Sequence, residues 1–263
     1  MSPRRRLLLL VLGGVLVVAL VAAVLVSVSG RGTGSGGPVA QDRQGPVLLV
    51  PGYGGNRSSL LALAGRLQTS GRQVDVLTLE GDGTGDLNRQ VDLLDRAVDD
   101  ALAGGAPSVD VVGYSAGGVV TGIWAARDDG ASKARRIVTL GAPLHGTRVA
   151  ALGSAFAPDA CPDACRQLAP GSALLGELDG AQAGASLPWL SVWTAGDETV
   201  TPPDTARLDG ATNVELQQLC PGAAVNHSGL PTDTAVTGLV QRALSPAPLP
   251  AAPADCGTLR AAA

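Results

Sequence analysis

The sequence of 263 residues has a formal net charge of −4 and a pI of about 5.1. Three of its positive charges lie at residues 4–6, so the remainder is more acidic still and has no basic stripe for phosphate contacts, which disfavours nucleic-acid binding. Residues 46–263 are enough for one α/β domain with a full core. An aromatic content of 2% gives no sign of a groove for stacking sugars.

An uncharged apolar run of 22 residues, 7–28, follows the N-terminal arginines. The apolar core of a secretory signal is about 7–15 residues long, whereas a membrane span needs about 20. The length therefore favours an uncleaved anchor over residues 1–28, with the arginines cytoplasmic and the rest outside. Cleavage near residues 27–29 and secretion is the alternative, and either way we expect an extracytoplasmic domain. The Gly- and Ser-rich residues 29–45 predict a flexible linker.

Four cysteines lie beyond this segment, which fits an oxidising compartment and two disulfides. Three pairings are open. Position favours Cys161–Cys165, which closes a tight loop, and Cys220–Cys256, which fastens the C-terminal tail to the body. Metal binding is the alternative for the first pair. No second Cys or His pair at ligand spacing lies nearby in the sequence, so we expect no metal.

The first half of the domain alternates short apolar runs with helical patterns. Residues 47–50 predict a buried strand, and a helix capped by Ser58 or Ser59 follows and ends at Gly71. Residues 74–79 predict the next strand. A helix over residues 87–102 comes next, with Asp86 as its candidate cap.

Residues 109–112 predict a strand that runs into Gly113-Tyr114-Ser115-Ala116-Gly117, followed by a helix opening on Val119. A strand, a glycine-flanked serine turn and a helix form the context in which G-x-S-x-G marks a nucleophile elbow. The glycines are required because the turn crowds the backbone, where a Cβ would collide with the neighbouring strand or helix. Ser115 is therefore the candidate nucleophile.

The second half repeats the alternation. Strands are predicted over residues 136–140, 190–194 and 214–216, and a last helix over residues 235–244 with Asp233 as its cap. Residues 148–188 have weak periodicity and are expected to form a small cap over the site. The domain spans residues 46–245, and the Pro/Ala-rich tail, residues 246–263, is expected to be extended. Strands that alternate with helices predict a parallel sheet covered on both faces.

A serine nucleophile needs a base, and the chain has two histidines. In the order serine, acid, histidine, only His227 can follow the acid, whereas His145 is interpreted as a loop residue shaping the pocket wall. The acid should follow a strand and be held by a turn, which favours Asp197. Glu198 and Asp204 are the nearby alternatives.

An oxyanion formed at Ser115 needs two backbone donors that are fixed in advance. The residue after the nucleophile, Ala116, supplies one N–H group. The loop after the first strand has glycines at positions 52, 54 and 55 that allow the backbone to approach closely. We assign the second donor to the N–H of Tyr53.

Together these segments resemble the small bacterial lipases and esterases of the α/β-hydrolase fold, of the minimal, nearly lidless type. The resemblance runs from about residue 47 to residue 244, and its most family-specific piece is residues 207–214. It implies a single-domain α/β-hydrolase that cleaves carboxylic esters, acylglycerols included, without a cofactor. Family members often have His-Gly where this chain has Pro51-Gly52, and this departure leaves a backbone donor at Tyr53 intact.

The sequence therefore predicts an ester or lipid hydrolase that works through an acyl-enzyme, with contact to a membrane only through its N-terminal segment. Two alternatives stay open. One is an acyltransferase that uses the same triad to pass an acyl group to an envelope glycolipid or alcohol. The other is a non-catalytic, membrane-anchored binding module of the same fold. We expect a monomer.

Overall fold

Apolar and β-branched runs form the strands at the centre of the fold. The computed structural model describes residues 39–180, 187–249 and 254–263. Its strands are β1 Val47–Val50, β2 Val74–Val76, β3 Val109–Tyr114, β4 Ala134–Leu140, β5 Trp189–Trp193 and β6 Thr212–Glu215. They pair in the order β2–β1–β3–β4–β5–β6, and all of these pairings are parallel. The predicted parallel sheet is therefore confirmed.

Helices connect the strands and cover both faces of the sheet. They are α1 Ser58–Thr69, α2 Leu87–Ala103, α3 Ala116–Arg127, α4 Gly130–Lys133, α5 Arg148–Phe156, α6 Asp163–Gln167, α7 Ala173–Gly180, α8 Leu216–Leu219, α9 Thr234–Ala243 and α10 Cys256–Ala261. Short 3₁₀ helices span Pro158–Ala160, Pro203–Ala206 and His227–Thr232.

The sheet divides the core into two layers because alternate strand residues point to opposite faces. In β1, Leu48 and Val50 pack with α2, α3 and α7, whereas Val47 and Leu49 pack with α1 and α9. Both faces of β1 are buried, which explains why this strand is a continuous apolar run rather than an alternating one.

The predicted anchor, residues 1–28, and residues 29–38 of the predicted linker lie outside the described residues. Within the described part of the chain, no helix is both long enough and apolar enough to cross a bilayer. The described residues belong to one compact unit, which runs from Pro38 to Ala263.

The predicted end of β2 and the predicted start of α3 are wrong, and contacts with neighbouring elements explain both differences. Strand β2 ends at Val76 rather than at residue 79, because its partner β1 stops before Pro51 and the last contact is a bond of 2.9 Å from Leu77 N to Leu49 O. Helix α3 begins at Ala116, three residues before Val119, because the two glycines between them fit against the neighbouring strands.

The predicted helix caps have mixed outcomes. Asp86 and Asp233 accept backbone N–H bonds at the starts of α2 and α9, as predicted. Neither Ser58 nor Ser59 caps α1, which begins at Ser58. The side chain of Asn56 accepts the Ser58 N–H instead, at 2.9 Å.

Two segments with little periodicity contain more helix than predicted. Residues 148–180 form α5, α6 and α7, of nine, five and eight residues, which are too short for a clear repeat in the sequence. The tail was expected to be extended, but α10 is helical, with Asp255 as its cap, and its Leu259 is fully buried beside Gly238 of α9.

Both disulfides favoured from the sequence are present. Cys161 and Cys165 join within the segment between α5 and α7, and their sulfurs lie against Gly153 of α5. Cys220 and Cys256 fasten α10 to the loop after α8. The four cysteines of the described residues are thus all paired in disulfides.

A buried charge cluster lies at the edge where the strands begin. Asp110 and Arg135 are fully buried, and Asp110 Oδ2 accepts from Arg135 at 2.5 Å and from Arg72 at 2.6 Å. Arg136 is buried beside them. We call these four residues the Asp110 cluster. Its arginines also donate to backbone carbonyls at and after the C-terminal end of α9, namely those of Ala243, Leu244, Ser245 and Ala247.

Removing the carboxylate of this cluster should destabilise the fold. Asp110→Ala leaves Arg135 buried without its ion partner, and breaking a buried pair in this way costs about 3–5 kcal/mol. Urea unfolding with the disulfides intact measures the loss. Asp100→Ala, at an exposed aspartate in α2, is the matched control and should change stability by less than about 0.5 kcal/mol. A loss below about 1 kcal/mol for Asp110→Ala would show that the ion pairs do not stabilise the fold.

Candidate active site

The candidate site lies where the parallel strands end. Chain order reverses between β1 and β3, since β1 leads outward to β2 while β3 leads to β4. Ligands of open α/β sheets bind in the crevice at such a switch point, outside the carboxyl ends of the strands. The Tyr53 loop follows β1 and Ser115 follows β3, so both predicted segments flank this crevice.

The turn at Ser115 has the crowding predicted for an elbow. Ser115 has φ of 54° and ψ of −126°, a backbone conformation that side-chain-bearing residues rarely adopt. A Cβ at Gly113 would lie 2.5 Å from Gly118 Cα, and one at Gly117 would overlap the carbonyl oxygens of Val50 and Pro51. The sequence therefore needs glycine at both positions for Ser115 to stand at the apex between β3 and α3.

Three of the predicted side chains form one hydrogen-bonded chain. His227 Nε2 lies 2.9 Å from Ser115 Oγ, and His227 Nδ1 lies 2.7 Å from Asp197 Oδ2. A carboxylate can only accept, so Nδ1 carries the hydrogen and Nε2 is left to accept from the serine hydroxyl. All three residues are buried but keep a small exposed fraction, which is 8% for Ser115, 8% for His227 and 5% for Asp197.

The loop after β5 holds the Asp197 carboxylate. Its second oxygen, Oδ1, accepts from the backbone N–H groups of Thr199 at 2.9 Å and Val200 at 2.7 Å. Thr147 braces the same loop, because its hydroxyl donates to Thr199 O at 2.9 Å and accepts from Thr201 N at 3.0 Å. The carboxylate is thereby fixed with one oxygen free to face His227.

A second set of bonds ties the histidine loop to the acid loop. Thr194, at the end of β5, donates its hydroxyl proton to Val225 O at 2.6 Å and accepts from Gln217 Nε2 at 2.8 Å. Asn226 caps the 3₁₀ helix that begins at His227, by accepting from Gly229 N at 3.0 Å. The backbone on both sides of the imidazole is therefore held in place.

The two predicted backbone donors are the N–H groups of Ala116, which follows Ser115, and of Tyr53, which follows Gly52. Within the described residues, neither Tyr53 N–H nor Ala116 N–H has a hydrogen-bond acceptor. Ala116 is the first residue of α3, where the N–H groups of a helix have no partner within the helix. The Tyr53 loop closes on Ser115 at Gly52, where a Cβ would lie 2.9 Å from Ser115 Cβ.

The remaining candidates lie apart from this hydrogen-bonded chain. His145 is a half-exposed loop residue whose Nδ1 lies 2.8 Å from Asp179 Oδ1 and whose Nε2 lies 3.1 Å from Arg207 O. Glu198 and Asp204, the alternative acids, are both exposed. Asp197 is the carboxylate that contacts His227.

A cavity of about 620 Å³ lies away from these residues. Pro46, Gln73 and Pro107, which precede β1, β2 and β3, line it, so it opens at the edge of the sheet where the strands begin. We do not assign the candidate chemistry to it, because Ser115 lies at the other end of its strand.

Two contacts of the site had no counterpart in the sequence analysis. One is the Thr147 brace, whose only signal is a threonine directly before a helix. The other is Tyr114, whose hydroxyl donates to His227 O at 3.3 Å. Burial, and to a lesser extent the charge of Asp197, raises the pKa of Tyr114 to about 12, so this hydroxyl stays a neutral donor throughout the physiological range.

The fold is shared with solved structures of lipases. Aspergillus fumigatus lipase B superposes with a TM-score of 0.68 and 20% identity over 86% of this chain and 58% of that one, so this chain spans little more than half of the fungal protein. The mature form of the Bacillus licheniformis lipase BlEst2 superposes with a TM-score of 0.56 and 18% identity, over 71% of this chain and 86% of that one. No protein-family model and no curated protein matches the sequence. At these identities the likeness establishes the fold alone, which is that of the α/β-hydrolases.

Proposed function

We propose that this protein is a serine hydrolase that cleaves carboxylic esters through an acyl-enzyme, with Ser115, His227 and Asp197 as its catalytic triad. The observation that carries the proposal is the pair of contacts made by His227, 2.9 Å to the serine and 2.7 Å to the carboxylate. The order serine, acid, histidine along the chain and the switch-point position support the same assignment.

In the first half-reaction, Ser115 Oγ attacks the ester carbonyl carbon while its proton moves to His227 Nε2. The tetrahedral intermediate then collapses. The bond from its central carbon to the alcohol oxygen breaks, and His227 returns the proton to that oxygen as the alcohol leaves. Asp197 stays ionised and stabilises the imidazolium that forms in between. The acyl group is left as an ester of Ser115.

In the second half-reaction, the oxygen of a water molecule attacks the acyl carbonyl carbon while a proton of that water moves to His227 Nε2. The bond from this carbon to Ser115 Oγ then breaks, and His227 returns the proton to Oγ as the acid leaves. In both steps the Tyr53 and Ala116 N–H groups would donate to the carbonyl oxygen as it gains charge. Donors fixed in advance are effective because they need no reorganisation during the reaction, and removing one typically costs about 10²–10³ in kcat.

Esters with an apolar acyl chain are the proposed substrate class. The fold neighbours are lipases, and an apolar face on α5 supports the same choice. Val149, Leu152 and Phe156 are all exposed on this helix, Phe156 by 82%. Thr147, the cap residue directly before α5, braces the Asp197 loop, so this face lies on an element joined directly to the site. That residues 148–188 cap the site stays a prediction.

An extracytoplasmic location is part of the proposal. Two disulfides support it, since such bonds persist in oxidising compartments. Anchoring by residues 1–28 rests on the apolar run in the sequence. The domain boundaries at residues 46 and 245 stay predictions in the same way.

A fluorophosphonate probe on the full chain tests the proposal, because it modifies a serine only when a base activates that serine. We expect one label, on the peptide that carries Ser115, and turnover of p-nitrophenyl esters from acetate through palmitate. Product analysis with added alcohol separates the acceptors, since free acid indicates a hydrolase and a new ester an acyltransferase. A folded, oxidised chain that neither labels nor turns over any ester would favour a binding module.

A further inference from the structure

The imidazole of His227 has neighbours besides its two hydrogen-bond partners. The ring of Tyr114 lies beside it, with 5.2 Å between ring centroids and an angle of 32° between ring planes. Gly141 also approaches it closely, since a Cβ there would lie 3.1 Å from His227 Nδ1 and 3.2 Å from Cε1. The Tyr114 ring also lies close to the Tyr53 loop, where a Cβ at Gly52 would lie 3.4 Å from its Cδ1.

These contacts restrict a tilt of the His227 ring that its two hydrogen bonds do not prevent. Hydrogen bonds of an imidazole are directed along the plane of its ring, so the bonds from Nδ1 to Asp197 and from Nε2 to Ser115 hold the ring at two points of its edge. They leave the ring able to tilt about the line that joins the two nitrogens. A neighbour packed against the ring restricts that tilt, and tilted aromatic pairs at 4.5–7 Å are stabilising by about 0.5–1.5 kcal/mol.

Tyr114 also acts on the backbone and on the charge of His227. Its hydroxyl donates to the carbonyl of the same residue whose ring it contacts, so side chain and main chain are held by one neighbour. An aromatic ring whose centroid lies within about 6 Å of a cation attracts it when the cation faces the ring. The contact with the Tyr114 ring would stabilise the imidazolium formed during catalysis more than it stabilises the neutral imidazole.

We propose that Tyr114 is a positioning residue for His227, whose ring sets the tilt of the imidazole and whose hydroxyl holds the backbone of that residue. The inference rests on the proposed function for its kinetic consequence but not for its structural one. Tyr114 does not touch the reacting atoms. Its place directly before Ser115 in the sequence follows from geometry, because the last residue of β3 is the one that faces the histidine loop.

Two variants in the full chain separate the parts of the proposal. Tyr114→Phe keeps the ring and removes the hydroxyl, and we expect kcat for p-nitrophenyl butyrate to fall about twofold, since the bond is long. Tyr114→Leu removes the ring, and we expect kcat to fall about tenfold, which corresponds to the upper end of an aromatic pair energy. KM should stay within about twofold in both, since substrate binding is not changed.

A spectroscopic measurement gives a readout that does not need activity. The chain has two histidines, so labelling with histidine that carries ¹³C at Cε1 gives two ring signals, and His145→Gln identifies the one from His227. The Tyr114 ring current should displace that signal. We expect the signal to stay in place in Tyr114→Phe and to move in Tyr114→Leu, with the thermal midpoint showing that each variant is folded.

The outcomes distinguish the two proposals. A His227 signal that is the same in wild type and in Tyr114→Leu, or a wild-type kcat in that variant, would overturn the role of Tyr114. A displaced signal in a wild-type chain that neither labels nor hydrolyses esters would keep the contact and overturn the proposed function instead. Equal losses of kcat in Tyr114→Phe and Tyr114→Leu would also overturn the assignment of the tilt to the ring.

Discussion

Ser115→Ala is expected to lower kcat for ester hydrolysis by about 10⁶, to a level set by binding and the oxyanion donors alone. Alanine removes the oxygen that attacks the carbonyl and leaves His227 without the hydroxyl that it contacts at 2.9 Å. The backbone should tolerate the change, because alanine has the same Cβ as serine in the strained turn at φ 54°. The rate with p-nitrophenyl butyrate and loss of fluorophosphonate labelling measure the effect.

Ser132→Ala is the matched control for this variant. Ser132 lies in α4, before β4, at the edge of the sheet away from Ser115, and its hydroxyl donates only to Asp129 O. We expect its activity and labelling to equal those of the wild type. Turnover retained in Ser115→Ala, with the control also active, would remove Ser115 as nucleophile and with it the acyl-enzyme mechanism.

Asp197→Asn is expected to lower kcat by about 10⁴. The amide keeps the shape of the carboxylate, but its NH₂ group cannot accept from His227 Nδ1–H at the 2.7 Å position. Because Oδ1 already accepts from Thr199 N and Val200 N, the amide oxygen is held there and the NH₂ group faces the imidazole. The ring is then driven to the tautomer that cannot take the serine proton.

The alternative acids supply the control for this second prediction. Glu198→Gln and Asp204→Asn change exposed carboxylates close by in the sequence, and both variants should keep the wild-type kcat within about twofold. If Glu198→Gln lost more activity than Asp197→Asn, the acid would have been assigned one residue too early. Thermal midpoints of the three variants check that all are folded.

Much of the fold could be predicted because its strands are short, continuous apolar runs separated by helical patterns. The apolar composition of residues 47–50 was enough to predict strand β1, since a strand buried on both faces has no alternation of apolar and polar residues. The candidate site could be predicted because G-x-S-x-G between a strand and a helix indicates a nucleophile serine. The chain has only two histidines, and the order serine, acid, histidine selects His227 as the candidate base.

The parts that were missed depend on tertiary contacts. The end of β2 is set by where its partner stops, which the residues of β2 do not encode. Helix α10 lies in a Pro- and Ala-rich tail and is fastened through Cys256 to a residue 36 positions earlier. Tyr114 gave no signal, because a tyrosine at the end of a strand is common and its contact with His227 spans 113 positions.

The Asp110 cluster joins β4, in the middle of the sheet, to backbone that is synthesised much later. Arg135 and Arg136 of β4 donate to carbonyls that lie 107 to 111 positions further along. Before those carbonyls have been synthesised, a buried β4 would keep the ion pair from Arg135 to Asp110, but both guanidinium groups would lack part of their native hydrogen-bond acceptors. A buried donor without an acceptor costs about 1–3 kcal/mol. We therefore expect stable burial of β4 to require residues 243–247, which the ribosome adds near the end of the domain.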